Sequence, residues 1–334
     1  MPAAAYRDMK RRLVLESFAR EGLVEVEIAQ TVEVRPASRR RATFKVAKID
    51  GATLLGFHAT GSHRIVNMQQ CRVLTPEFQR LVPSLRDMMA ERLKDGDEAE
   101  LYVVQTDGGF DVALRGLCRD AVLTAWAARW AQTLHLARIT VEDHVLVELA
   151  PPTLSFGRAT VRLPPMAFIQ PTRDGEAVLQ SLVLAVTKRA RNVADLFAGV
   201  GTFALKLAET ARVQAIDADG AALNALGAAA RATQRLKPVT ALKRDLFRRP
   251  LGREELEPFD AVVLDPPRAG AAQQARELMR SRVPLIAYVS CNPASFARDA
   301  KCLAVGGYRL GVVTPVDQFV WSSHIELVAS FSKA

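Results

Sequence analysis

From residue 192 onward, four short runs rich in valine, leucine and isoleucine recur between stretches of helical character. They are Asn192-Val-Ala-Asp-Leu196, Val213-Gln-Ala-Ile216, Ala261-Val-Val-Leu264 and Leu285-Ile-Ala-Tyr-Val289. Runs this short and this apolar suit strands buried on both faces, and strands that alternate with helices must run in one direction, because each helix returns the chain to begin the next strand. The pattern predicts an α/β fold on a parallel, doubly wound, Rossmann-like sheet. Such sheets bind ligands outside the carboxyl ends of their strands, so the residues that follow each run are where chemistry is expected.

Ahead of Pro151-Pro152 the patterning differs. Tyr6, Met9, Leu13 and Phe18 fall near helical spacing, with Gly22 placed to close a helix over 3–22. Alternating runs at 24–28, 42–47, 53–57 and 100–104 read as strands of a mostly antiparallel sheet, with helices over 76–93 and 121–133. The 334 residues suffice for two buried cores. The expected division is an α+β domain over 1–155 and the parallel-sheet domain over 160–334. The Arg39-Arg-Arg41 run reads either as a solvated turn or as a phosphate contact.

Composition narrows the function classes. No apolar stretch approaches the ~20 residues that span a bilayer, and the amino terminus lacks the apolar core of a signal peptide. Four widely spaced cysteines do not form a disulfide framework, which points to a reducing cytoplasm. The net charge is +9, of which residues 1–150 carry +1 and the remainder +8. Positive charge concentrated in one half fits a polyanionic partner.

The loops after the strands are specific. Asp195-Leu-Phe-Ala-Gly-Val-Gly-Thr202 follows the first strand, with Gly199 and Gly201 permitting a tight turn and close approach to a ligand. Asp217 ends the second strand, where an acid can accept both hydroxyls of a ribose. Alone, this loop and acid fit a dinucleotide as well as S-adenosylmethionine. Asp245, just past a third strand, is placed to accept from an adenine amino group, and Asp265-Pro-Pro-Arg268 ends a fourth. The series of glycine loop, ribose acid, adenine acid and rigid Asp-Pro-Pro floor is the layout of an S-adenosylmethionine methyltransferase. After the last run comes Ser290-Cys-Asn-Pro293, which places Cys291 as a nucleophile at a strand's carboxyl end.

These motifs, with Phe168-Ile-Gln170, Ala297-Arg-Asp299 and His324-Ile-Glu326, resemble the RNA uracil-5 methyltransferase family. The resemblance is firm over about residues 165–331 and looser before 150. It implies that Cys291 attacks C6 of uracil and that Glu326 is the base that later removes the C5 proton. It implies contacts to S-adenosylmethionine from Gln170, Phe197, Gly199, Gly201, Thr202, Asp217, Asp245 and Asp265, and an orienting role on the base for Asp265 and Arg268. The partner implied is structured RNA, 23S rRNA favoured over tRNA, bound by the amino-terminal α+β domain and acted on by a monomer. Thr202 and Ala198 depart from the family's frequent Asn and Cys at those positions.

Relatives in the ribosomal-RNA branch begin with a small TRAM β-barrel and hold an iron–sulfur cluster on cysteines near a Tyr-x-x-x-Lys helix. Tyr6 and Lys10 resemble that helix, and Cys71 stands where the fourth ligand would be, with no cysteine before it. One thiolate cannot hold a [4Fe–4S] cluster, so a cluster is expected only with a longer natural amino terminus. The alternative is a cluster-free enzyme with Cys71 in its core. Competing readings are a tRNA uracil-5 methyltransferase, an enzyme acting on cytosine C5 or an exocyclic amine, and a catalytically weak RNA-binding protein on the same fold. Arg268 after Asp-Pro-Pro argues against an amine methyltransferase, whose motif carries an aromatic residue there.

Overall fold

The four apolar runs become strands Asn192–Leu196, Arg212–Asp217, Ala261–Leu264 and Leu285–Ser290 in a computed structural model that describes residues 3–333. They align in parallel, joined at one side by Val239–Lys243. Every residue of Ala261–Leu264 is buried, as a central parallel strand requires. The sheet continues past Leu285–Ser290 with Glu326–Ser332, which runs antiparallel, and then with Thr314–Asp317. Nine strands join this sheet among the described residues.

The chain divides into two units. One comprises the residues through Arg35, Phe156–Val161 and those from Asp174 onward, and the other comprises Pro36–Ser155 with Arg162–Arg173. This differs from the expected boundaries of 1–155 and 160–334. Helix Ala3–Arg20 buries Val14 and Phe18, and these join Ile28, Ile286, Phe296 and Phe331 in one apolar cluster. The Phe18 and Phe296 rings meet edge to face, with centroids 5.7 Å apart. Helical spacing announced a helix but not which core it would complete.

The strand expected over 24–28 does not form. That segment runs along the sheet edge and pairs there only through an isolated bridge, Ile28 with Val313, before the two-residue strand Val32–Glu33. Val24 is 78% exposed, so the Val-Glu-Val-Glu-Ile alternation has no second face to bury.

In the other unit, seven strands pair in the order Ile65–Asn67, Ala52–His58, Arg41–Ile49, Glu98–Thr106, Gly109–Arg115, Leu136–Val141 and His144–Glu148. Neighbours are antiparallel except Gly109–Arg115 with Leu136–Val141. Helix Pro76–Arg92 starts on the hydroxyl of Thr75, which accepts from the Phe78 N–H at 3.2 Å, and on a proline whose fixed φ suits the first turn. With Leu123–Thr133 it contributes Phe78, Val82, Leu85 and Trp126 to the core over Phe44, Leu101 and Val103. The arginine run is not a freely solvated turn. Arg40 is 4% exposed and its Nε donates to the carbonyl of Gln170 at 3.1 Å, Arg39 Nε donates to the Arg41 carbonyl, and the Arg41 guanidinium covers the Phe168 ring at 4.3 Å.

Candidate active site

Parallel strands deliver their carboxyl ends to one edge of the sheet. That edge therefore collects the loop after Leu196, Asp217, the turn after Lys243, Asp265 after Leu264, and Cys291 after Ser290. Glu326 reaches the same edge from the opposite direction because it opens the antiparallel strand. Ser290 pairs with Leu327, so one further step of the register sets Cys291 beside Glu326. The thiol and the carboxyl lie far apart in sequence, and only strand pairing brings them together.

Their surroundings are apolar and acidic. Burial first, then the Glu326 and Asp265 carboxylates, push the Cys291 thiol up to about 11, with Arg268 pulling the other way. Burial first, then Asp265, push Glu326 up to about 8, opposed by the Gln318 amide. Gln318 Nε2 donates to Glu326 Oε1 at 3.1 Å, while the buried Oε2 has no hydrogen-bond partner among the described residues. A buried carboxyl oxygen with nothing to bind is costly unless a ligand or substrate supplies the partner.

This shift has a stability consequence. Between the ordinary carboxyl value of 4.5 and about 8, the folded chain keeps the Glu326 proton and the unfolded chain has released it. The native state then binds more protons, so stability falls as pH rises through that window. Glu326→Gln does not titrate and is expected to be more stable than the parent at pH 8, with a ceiling of roughly 5 kcal/mol and a gain that vanishes toward pH 4.5. Denaturant midpoints at the two pH values check this; an equal difference at both would disprove it.

The turn that carries Cys291 is tied at both ends. Ser290 Oγ accepts from the Asn292 N–H at 3.2 Å, and Asn292 Oδ1 caps helix Pro293–Val305 by accepting from the Ala294 N–H at 3.1 Å. Asn292 Nδ2 and Ser295 Oγ donate to the Arg268 carbonyl at 2.9 and 3.2 Å, so the Cys291 turn and the Asp265-Pro-Pro-Arg268 loop brace each other. The Arg268 side chain is left exposed. Beneath them Asp299, 1% exposed, accepts from Ala271 N–H and Tyr288 Oη at 2.7 Å each and from Arg298 Nε at 2.9 Å. Gly270 at φ +78° packs onto this carboxylate, where a Cβ would lie 2.7 Å from Asp299 Oδ2. Asp299 was expected only as part of the Ala297-Arg-Asp299 motif, and the network explains what that position does.

The glycine loop can hold a nucleoside. A Cβ on Gly201 would strike Leu205 and Leu226 at 2.9–3.0 Å, so that glycine serves packing, whereas a Cβ on Gly199 would meet nothing within 4 Å and faces open space. Asp217 Oδ2 accepts from the Gly199 N–H and Oδ1 from the Asp219 N–H, both at 2.8 Å, and each oxygen keeps a second lone pair. Asp245 Oδ1 accepts from the Phe247 N–H at 2.9 Å, and the Phe247 ring lies 5.5 Å from that of Phe197, which sits at φ +64°. The Thr202 carbonyl accepts from Gln180 Nε2 at 2.8 Å. An open cradle walled by two acids and two aromatic rings fits S-adenosylmethionine. Wholly buried Asp195 beneath the loop was not among the expected site residues; burial and the charges of Asp265 and Asp217 raise its carboxyl well above the ordinary range. Gln170 lies in the other unit, 3% exposed, with its carbonyl bound to Arg40.

Cys71 is half-buried in that unit, its N–H donating to Gln79 Oε1 at 2.6 Å. Among the described residues no three His, Cys, Asp or Glu gather as a metal site, so the donors present do not fit an iron–sulfur cluster. No described helix is long and apolar enough to cross a membrane.

The model of the tRNA (uracil-5-)-methyltransferase family matches residues 154–333. An uncharacterised RNA methyltransferase of Rhizobium meliloti is 44% identical over 336 residues, covering 99% of this chain and 80% of that protein. The 23S rRNA (uracil(1939)-C(5))-methyltransferase RlmD of Halomonas elongata is 34% identical over 352 residues, covering 96% of this chain and 71% of that one. Among solved structures, the Pyrococcus abyssi tRNA (uracil-54, C5)-methyltransferase in complex with S-adenosyl-L-homocysteine matches with a TM-score of 0.73 at 20% identity, over 97% of this chain and 83% of that one, a likeness of fold. With sequence matches of that extent over a sheet edge so equipped, the chain belongs to the RNA uracil-5 methyltransferase family.

Proposed function

We propose that this chain methylates C5 of a uridine in structured RNA with S-adenosylmethionine as donor, Cys291 as nucleophile and Glu326 as base. The observation that carries the reading is the register that sets a half-buried thiol beside a buried carboxyl with an unpartnered oxygen. Cys291, once its proton has gone to solvent, adds to C6 of the ring, and the C5=C6 electron pair moves toward O4. S-adenosylmethionine, when bound, supplies an electrophilic methyl group on a cationic sulfonium for the electron-rich C5. Glu326, once its own proton has gone to solvent, takes the C5 proton on Oε2, the C5=C6 bond re-forms, and the Cys291 sulfur leaves. Asp265 and Arg268 orient the base, which must be flipped out of its stack to enter. Gly199, Asp217 and Asp245 hold the donor's nucleoside, with Phe197 and Thr202 completing its contacts.

Ribosomal RNA is favoured over tRNA, since the Halomonas relative named for 23S rRNA is the nearer in sequence. The antiparallel unit supplies RNA contacts, and the enzyme works in the cytoplasm as a monomer.

A covalent trap tests the chemistry. RNA carrying 5-fluorouridine offers no C5 proton to remove, so the wild-type protein with S-adenosylmethionine is expected to form an adduct that survives a denaturing gel. Glu326→Gln is expected to lose about 10²–10⁴-fold in turnover and to accumulate adduct on ordinary RNA. Absence of any adduct with the fluorinated RNA would sink the covalent reading.

A further inference from the structure

Residues 318–325 form an irregular segment between strand Thr314–Asp317 and the strand that Glu326 opens. Helix Ala3–Arg20 grips this segment with two side chains one turn apart. Lys10 is wholly buried, and its Nζ donates to Asp317 Oδ1 at 2.8 Å, to the Phe319 carbonyl at 3.3 Å and to the His324 carbonyl. All three donors of the ammonium are thereby engaged. Tyr6 Oη donates to Asp317 Oδ2 at 2.7 Å and accepts from the Trp321 N–H at 2.8 Å. Trp321 sits at φ +61°, a left-handed conformation that a bulky residue holds only when its surroundings impose it.

A buried ion pair adds little stability over well-packed apolar side chains, because desolvation offsets most of the attraction. Its return here is geometric. Asp317 immediately precedes Gln318, whose amide is the hydrogen-bond partner of Glu326 Oε1, and His324 stands two residues before Glu326. The clamp thus holds the chain on either side of Gln318 and again two residues before Glu326.

We propose that Tyr6, Lys10 and Asp317 are positioning residues for Glu326, so that the first helix of the chain sets the rate of the proton-removal step. This rests on the reading of Glu326 as the base. Cys291 and the glycine loop sit on other strand ends, and the addition and methyl-transfer steps are expected to proceed without the clamp.

The fluorinated RNA isolates those early steps, whereas ordinary RNA also needs the base. Tyr6→Phe, Lys10→Met and the paired Lys10→Met/Asp317→Asn are expected to trap on fluorinated RNA at the wild-type rate. On ordinary RNA their turnover is expected to fall on the order of 10–100-fold, the scale of a misplaced catalytic group, with adduct accumulating as in Glu326→Gln. Lys10→Met leaves a buried carboxylate unpaired and can fail to fold, so Tyr6→Phe and the charge-neutral pair carry the test. Trapping and turnover that fall in the same ratio would mark the clamp as a general folding element and overturn the proposal, as would unchanged turnover in both variants. Should Glu326→Gln still accumulate adduct in those cases, the clamp alone is wrong. If Glu326→Gln turns over at the wild-type rate, the base assignment fails and takes the clamp's role with it.

Discussion

Cys291→Ala is expected to abolish methyl transfer, with turnover lower by on the order of 10⁴-fold or more, because in the proposed mechanism its sulfur adds to C6 and thereby activates C5. The thiol is half-buried and its turn is held by Ser290, Asn292 and the Arg268 carbonyl rather than by sulfur. Truncation should therefore cost roughly 1 kcal/mol of stability or less. The glycine loop is untouched, so affinity for S-adenosylmethionine is expected to stay within about threefold, less than 1 kcal/mol. Single-turnover assays and titration calorimetry separate the two quantities. Turnover that stayed within tenfold of wild type would remove Cys291 from the chemistry. Loss of donor binding together with turnover would instead point to damage of the loop.

The second large effect falls on stability. Asp299→Ala is expected to destabilise its unit by about 3–5 kcal/mol, since it strips a buried acceptor from the Tyr288 hydroxyl and the Ala271 N–H. Tyr288 is itself wholly buried, and burial together with the Asp299 charge holds its phenol well above the ordinary range, so the hydroxyl remains a donor in need of a partner. Arg298 is half-exposed and can turn to water, which adds little to the loss. Asp299→Asn retains one acceptor and should recover about half of the deficit. Chemical denaturation of the three proteins measures this, and a deficit under about 1 kcal/mol for the alanine variant would show that the network is dispensable. Because Gly270 and the Arg268 loop rest on Asp299, the same variant is expected to slow catalysis at temperatures where it remains folded.

Much of this was legible in the chain. The runs ending at Leu196, Leu264 and Ser290 are interior strands of the sheet, and such strands need largely apolar sequence because both faces are covered. Glycines in a tight turn and acids at strand ends are likewise local requirements. The segment at 24–28 misled because alternation records chemistry at each position and not whether a partner strand exists. Arg40 misled for a related reason: charge in a sequence reads as solvent exposure unless a partner is known, and its partner is the Gln170 carbonyl, 130 residues away.

Sequence alone determined the fold class, the order of the loops at the sheet edge and the family, since each depends on residue types within a few positions of one another. Tertiary structure alone decided that Glu326 lies beside Cys291, that Gln318 holds it, and that Lys10 and Tyr6 anchor the segment leading to it from more than 300 residues away. Strand register and buried charge pairing are long-range properties, set by which surfaces meet when the core closes, and no local pattern encodes them.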